Sequence, residues 1–167
     1  MPKTYRIAPQ EVVDLLESTR QKYHDERLKR IKIGTIFAHA PVDEKTGQIK
    51  GTAIKGHAGA PAAACVKVVP LKDRLTKGYD VELLIDGDSW PKKTESQKIA
   101  LLDHELTHIR PTGNTDDLMR PKIKMRDEDF IVWGFIEVAQ RHGMAAVECQ
   151  SVKHLIDEHG QILLPLK

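Results

Sequence analysis

The chain has 167 residues, of which 40% are hydrophobic and 30% are charged, and its formal net charge is +2. This apolar content is too high for a disordered chain, and no apolar stretch approaches the ~20 residues that span a bilayer. A chain of this length buries enough surface for one hydrophobic core and scarcely enough for two. We therefore expect a single domain over residues 1–167 and no contact with membranes.

The N-terminal segment has no apolar run followed by a small-residue cleavage site, so we expect a cytoplasmic protein. Aromatic residues make up only 5% of the chain, which argues against a stacking platform for single-stranded nucleic acid. The net charge near zero indicates no partner, but residues 20–32 and residues 120–126 form two local basic clusters. We expect solvated surfaces at both clusters, and a weak contact with nucleic acid is the alternative.

The predicted elements of the first half are one helix and three strands. An amphipathic helix is predicted from Ala8 to about Arg30, because apolar residues recur there at intervals of three and four. β-Branched residues predict a strand over Ile31–Ala40, and a long glycine-containing loop follows it. Two further strands are predicted over Ala63–Val69 and Tyr79–Ile85.

The second half has mainly helical periodicity. Thr94 and Gln97 have the spacing of a capping box, in which each side chain satisfies a free backbone N–H group at a helix start. A helix is therefore predicted from there to about Ile109. A polar loop should follow, then a third helix from about Asp127 to His142, and later a short strand over Gly160–Leu166.

His104, Glu105 and His108 form an H-E-x-x-H motif inside the second predicted helix. Two histidines four residues apart project from consecutive turns of one helix face, so both imidazoles can bind one Zn²⁺. The adjacent glutamate can then take a proton from a zinc-activated water that attacks a carbonyl carbon. Apolar residues lie on the opposite side, so we expect a core face and a chemical face. The motif predicts a zinc-dependent hydrolase with Glu105 as the general base, and an exposed helix face with two incidental histidines is the alternative.

A catalytic zinc site usually has three protein ligands, so a third ligand is needed. The metzincin pattern is excluded, because Pro111 and Asn114 occupy its glycine and final histidine positions. A second arrangement places the ligand on a later helix, and Glu128 lies 20 residues after His108 at the predicted start of such a helix. We expect Glu128 to be the third metal ligand, although an acidic helix start needs no metal. The alternatives for this position are Asp127, Asp129, Glu137 and His142.

With these motifs the chain resembles the phage metallopeptidase family, small zincin-like proteins of bacteriophages and prophages that are distantly similar to SprT-like zinc peptidases. The likeness extends from Ile33-Gly34-Thr35-Ile36-Phe37 to Arg141-His142-Gly143 and is most specific over Gln97–Ile109. The resemblance implies a zincin-like α+β fold. In such a fold a small mixed sheet packs against an N-terminal helix and the H-E-x-x-H helix, and a further helix follows toward the C-terminus.

The resemblance also implies a function. His104 and His108 would be zinc ligands, Glu105 would be the catalytic base, and the substrate would be a peptide or protein. The family has a His-Asp pair before the last helix, where this chain has Glu128 and Asp129. An edge strand, for which we expect residues 81–85, would hold the substrate by β-addition.

These observations predict a zinc metallopeptidase of the bacterial host cytoplasm. Asp103 and Asp129 are candidates for orienting a ligating imidazole. Two alternatives remain open: a phage-derived nucleic-acid- or protein-binding module with a structural or vestigial metal site, and a zinc hydrolase acting on another bond.

Overall fold

The computed structural model describes residues 3–56, 59–129, 134–150 and 152–153, which form an α+β protein. The expected fold class is therefore confirmed. In chain order the elements are β1 (Thr4–Ile7), α1 (Gln10–Tyr23), α2 (Glu26–Lys29), β2 (Ile33–His39), β3 (Ala64–Val68), α3 (Leu71–Lys77), β4 (Val81–Asp86), α4 (Glu95–Thr107), β5 (Ile109–Thr115), β6 (Pro121–Met125) and α5 (Ile136–His142). Short 3₁₀ turns lie at Trp90–Lys92 and Gly143–Ala145.

Four strands form a mixed sheet in the order β1-β2-β4-β3, in which β2 and β4 are parallel and the other pairs are antiparallel. The expectation that residues 81–85 form an edge strand is wrong. This strand is β4, which is paired on both sides, and its alternate residues Val81, Leu83 and Ile85 are buried. The edge strands are β1 and β3, and in β3 the exposed Lys67 suits a position with solvent on one side.

Helices α1 and α4 pack on one face of the sheet and form the main core with it. Leu16 from α1 and Leu102 and Leu106 from α4 are at most 2% exposed, and they belong to one apolar cluster with Leu83 and Ile85 of β4. The opposite face is covered by the segment between β2 and β3, which contributes the buried residues Ala53 and Ile54. The position of α4 is therefore set by the burial of its leucines against the sheet.

The first predicted helix is two helices in the structure. Helix α1 ends at Tyr23, and Asp25 caps α2 by accepting hydrogen bonds from the backbone N–H groups of Arg27 and Leu28. This local side-chain acceptor starts a new helix instead of extending the old one. Strand β1 and helix α3 are elements that periodicity did not predict, because both are short and mostly exposed.

The segment after α4 differs most from its prediction. Residues 109–125, expected to be mainly a polar loop, form the β5–β6 hairpin, with Ile109 opposite Met125. The expected helix from Asp127 begins only at Ile136, and Asp127 and Glu128 lie in irregular backbone. The acidic triplet Asp127-Glu128-Asp129 is therefore not a helix start. The predicted strand over residues 160–166 lies outside the described residues.

Within the described ranges, no helix is both long and apolar enough to cross a membrane.

Candidate metal centre

Helix α4 carries the H-E-x-x-H motif and starts at the predicted capping box. The Thr94 hydroxyl accepts from the Gln97 backbone N–H at 3.3 Å, and the Gln97 side-chain oxygen accepts from the Thr94 N–H at 3.0 Å. The predicted core face carries Leu102 and Leu106, which join the main apolar cluster, and the second, chemical face carries His104 and His108, which do not. His104 and Glu105 are 7% and 5% exposed, because other parts of the chain cover the second face.

His104, His108 and Glu128 bring three ligand atoms within 4.8 Å of one another. Glu128 Oε1 lies 3.5 Å from His104 Nε2 and 3.9 Å from His108 Nε2. Two imidazole nitrogens and one carboxylate oxygen are ligands that transition metals such as zinc bind in proteins. The cluster can therefore hold a metal ion, and it consists of the three residues predicted for that role.

The other ring nitrogen of each histidine is held by a hydrogen-bond acceptor. His108 Nδ1 lies 2.8 Å from the Arg126 carbonyl oxygen, and His104 Nδ1 lies 2.8 Å from Glu148 Oε1. A carbonyl oxygen can only accept, so the neutral ring of His108 carries its proton on Nδ1 and its lone pair on Nε2. The same tautomer follows for His104 when Glu148 is ionised. Both Nε2 lone pairs then face the Glu128 carboxylate, as metal binding requires.

Glu148 is the site residue that the sequence analysis missed. Its carboxylate is buried, and Oε1 accepts from both His104 Nδ1 and the Phe135 backbone N–H, the latter at 3.0 Å. Burial acts to raise its pKa, but the hydrogen bonds from His104 and Phe135 lower it on balance. Gly134 leaves room for this side chain, since a Cβ atom there would overlap Glu148. The available signal was an acid placed between the apolar residues Ala145-Ala146-Val147 and Cys149.

The β5–β6 hairpin positions His108 and Glu128 together. The Arg126 N–H donates to the His108 carbonyl at 2.7 Å, while the Arg126 carbonyl accepts from the His108 ring. The chain therefore returns beside the end of α4, and Glu128 follows two residues later. Phe135 is fully buried against both imidazoles, with ring centroids 5.0 Å from His104 and 4.7 Å from His108. These contacts restrict the rotation of both rings.

Glu105 is buried, and it lines the same cavity as this cluster. Burial raises the pKa of Glu105 to about 7, while His104 acts to lower it and Glu128 acts to raise it. For His108, burial lowers the pKa of the ring, which favours the neutral, metal-binding form. Glu105 and the three cluster residues all line one cavity of about 440 Å³ between α4 and β3, which we call the site cavity.

The alternative ligands are engaged elsewhere. Asp129 accepts from the Ile136 N–H at the start of α5 and from Arg126, and Glu137 pairs with Arg126. His142 Nε2 lies 2.8 Å from Asp103. Asp127 is exposed and belongs to no metal-type cluster among the described residues.

The carboxylate of Asp103 does not bond to the imidazole of either histidine of the motif. Its carboxylate is bonded to His24 and His142 and accepts from Arg141 at 3.0 Å, so it joins α1, α4 and α5. A larger groove of about 630 Å³ lies near this network, and it is lined by none of His104, Glu105, His108 and Glu128. We therefore place the chemistry in the smaller site cavity, where the ligand atoms converge.

Several arginines of the two basic clusters have structural contacts. Arg20 is buried and donates to the Ile31 carbonyl at 2.7 Å, and Arg120 Nε lies 2.8 Å from the buried carboxylate of Asp80. Arg126 pairs with Glu137. Contact of these clusters with nucleic acid stays a prediction.

A family model described as putative phage metallopeptidase matches residues 4–159, which is nearly the entire chain. Comparisons with curated proteins and with solved structures give no match. A metallopeptidase family implies a bound metal and a peptide or protein substrate, and the arrangement of His104, His108 and Glu128 is able to hold a metal ion. The expected resemblance is confirmed: the chain belongs to the phage metallopeptidase family.

Proposed function

We propose that the protein is a zinc-dependent, zincin-like peptidase in which His104, His108 and Glu128 hold Zn²⁺ and Glu105 is the general base. The observation that carries this proposal is the convergence of two Nε2 atoms and one carboxylate oxygen within 4.8 Å. The hydrogen bonds at both Nδ1 atoms support it, because they leave the Nε2 lone pairs for a metal. Two imidazoles and a glutamate form a ligand set that catalytic zinc uses.

When bound, the zinc supplies Lewis-acid activation of a water molecule and of the peptide carbonyl. A Glu105 carboxylate oxygen accepts the proton of the attacking water and then donates it to the amine leaving group. Burial suits Glu105 to this exchange, since desolvation disfavours its charged form and helps the side chain hold the proton between the two steps.

Strand β3 lies at an edge of the sheet, where an extended peptide substrate can pair with it. The Ala63 carbonyl accepts from Asp86 and the Val69 N–H donates to Asp80, so these odd-numbered residues point their peptide groups toward β4. By the alternation of an antiparallel pair, the peptide groups of Ala64 and Val66 point to the open side. Both residues line the site cavity. We infer that an extended substrate pairs with β3 there and passes the metal ligands.

We also infer that residues 1–167 act as one domain. The supporting observation is that one apolar cluster includes Leu16 of α1, Leu83 of β4, Leu106 of α4 and Ile109 of the hairpin, so these elements share a core.

The decisive variant is Glu105→Gln, which removes the base and leaves the three ligands in place. We expect it to keep the zinc content of the wild type and to lose at least ~100-fold in peptide cleavage. Zinc is measured by elemental analysis after purification without chelators, and cleavage is measured on a protein substrate such as casein.

The double variant His104→Ala, His108→Ala is the matched control, and it should lose both zinc and cleavage. Cleavage that survives Glu105→Gln contradicts the proposed mechanism. A wild-type protein that binds zinc but cleaves no peptide contradicts the peptidase proposal and favours a binding module.

A further inference from the structure

The walls of the site cavity are mostly small or apolar side chains. They include Ala62, Ala64, Val66, Leu101, Met125 and Val147. Cys65 also lines the cavity, but its side chain packs against the apolar cluster on the opposite face of the sheet, where burial, with a smaller contribution from Glu105, raises the pKa of its thiol. Among the described lining residues there is no lysine or arginine, and the only carboxylates are Glu105 and Glu128.

The apolar wall and the open edge of β3 border the same cavity. Ala64 and Val66 line the cavity, and their peptide groups point away from β4. His104 and Glu105 line it from the α4 side. A peptide strand paired with Ala64 and Val66 therefore lies beside Glu105, and its side chains alternate between the cavity and the opposite side. One substrate side chain next to the bond that reacts must enter this space.

We propose that the site cavity is a specificity pocket for an uncharged apolar side chain of leucine, methionine or phenylalanine size, adjacent to the scissile bond of an extended peptide. This inference rests on the proposed function. A volume of about 440 Å³ is within the range of small-molecule pockets, so the cavity has room for one such side chain beside the proposed metal ligands. Contact with the wall removes apolar surface of the substrate side chain from water, which favours binding.

Charged substrate residues are disfavoured because they would lose hydration in the pocket. For an aspartate or glutamate, the described lining offers no lysine or arginine, and its only carboxylates are Glu105 and Glu128. A lysine or arginine would lose hydration, and no acid other than these two lines the pocket to pair with it. Because one methylene group already changes enzyme discrimination by about 10-fold or more, we expect at least ~10-fold selection against both charges.

The first measurement uses matched fluorogenic peptides that differ at one position beside the cleaved bond, with Leu, Phe, Ala, Lys or Glu there. With the zinc-loaded wild type we expect kcat/KM to be highest for Leu and Phe and at least ~10-fold lower for Lys and Glu. Equal rates for Leu, Lys and Glu would overturn the proposal.

The second measurement changes the wall at Met125, which is 41% exposed and therefore tolerates a polar side chain. Met125→Glu should raise kcat/KM for the Lys peptide relative to the Leu peptide by about 10-fold, and Met125→Lys should do the same for the Glu peptide. Met119→Glu is the matched control, because Met119 is 80% exposed in the hairpin turn and does not line the cavity. Unchanged ratios in both Met125 variants would overturn the assignment of this wall.

The third measurement separates the pocket from the chemistry. Zinc-loaded Glu105→Gln protein is titrated with the same peptides, fluorescently labelled, and the dissociation constants are measured by anisotropy. We expect the Leu and Phe peptides to bind at least ~10-fold more tightly than the Lys and Glu peptides. If the Leu and Phe peptides bind more tightly but the wild type shows no cleavage that depends on Glu105, the proposed function is rejected and the pocket assignment stands. Equal binding of all peptides, or no binding of any, would overturn the pocket even if the protein is a peptidase.

Discussion

The two histidines of the motif are oriented by different kinds of acceptor. His108 donates to a backbone carbonyl, which no side-chain substitution removes, whereas His104 depends on the Glu148 carboxylate. Glu148 comes from a segment 44 residues later in the chain and also receives the Phe135 N–H. The hydrogen bond at His104 Nδ1 thus depends on a single buried acid outside the motif.

Replacing Glu148 should weaken metal binding while leaving all three proposed ligands present. We expect Glu148→Ala to lower zinc affinity by about 10- to 100-fold, because His104 loses the acceptor that fixes its tautomer and ring orientation. Glu148→Gln should have a smaller effect, since its side-chain oxygen can still accept. Affinity is measured by competition with a chromophoric chelator, and the exposed acid Glu95, replaced by Gln, is the control. An unchanged affinity in Glu148→Ala would show that the contact does not orient a ligand.

At the scale of elements, the third proposed ligand is delivered by a hairpin and not by a helix. Strands β5 and β6 carry the chain away from His108 and back to it, and the Arg126 N–H closes the return at the His108 carbonyl. Glu128 thereby reaches both imidazoles, while Asp129 turns toward the start of α5. Neighbouring acids therefore have separate tasks.

Alanine substitutions in the acidic triplet should distinguish these tasks. We expect Glu128→Ala to lower zinc affinity by more than ~10-fold, because a charged ligand is lost, whereas Asp127→Ala should leave it unchanged. The same chelator competition measures both variants, and circular dichroism confirms that each is folded. A larger loss of affinity in Asp127→Ala than in Glu128→Ala would assign the third ligand to Asp127.

At the scale of the whole molecule, ion pairs anchor the far end of the hairpin to the sheet and to α3. Arg74 of α3 donates to Asp116 at 2.9 Å, and Arg120 lies against Asp80, which also accepts from the Lys32 N–H beside β2. Asp116 further accepts from the backbone N–H groups of Leu118 and Arg120 in the hairpin turn. The hairpin that delivers Glu128 is thus held at its turn as well as at His108.

This anchor should make stability depend on pH. Burial acts to raise the pKa of Asp116, but the two backbone N–H groups and the neighbouring arginines lower it on balance. A carboxyl whose folded pKa lies below its unfolded value, about 3.9, stabilises the fold above that value and loses its contribution as the pH falls through the folded pKa. We therefore expect Asp116→Asn to lower the free energy of unfolding at pH 7, with a smaller difference from the wild type near pH 3. Urea unfolding at both pH values measures the two differences, and a difference that grows on acidification would contradict this role.

The sequence by itself determined the features that depend on short stretches of chain. The capping box and the His104, Glu105 and His108 spacing lie within one helix, so helix geometry alone places the two imidazoles on consecutive turns. The mixed α+β character also follows from local periodicity. Counting residues from His108 pointed to Glu128, although the structure it was expected to occupy, a helix start, is absent there.

Only the tertiary structure decided which strand is at the edge, how residues 109–125 fold, and which side chains lie behind the histidines. Strand order depends on which strands bury both faces, and that places β4 inside the sheet and β3 at an edge. The hairpin is stabilised by pairing between its own strands and by its contacts with α3 and α4. The hydrophobic periodicity of the sequence does not predict these contacts. Glu148 and Phe135 reach His104 because the segment of residues 134–150 packs over α4. The local motif supplies the proposed chemistry, and long-range packing supplies its third ligand, its orientation and its pocket.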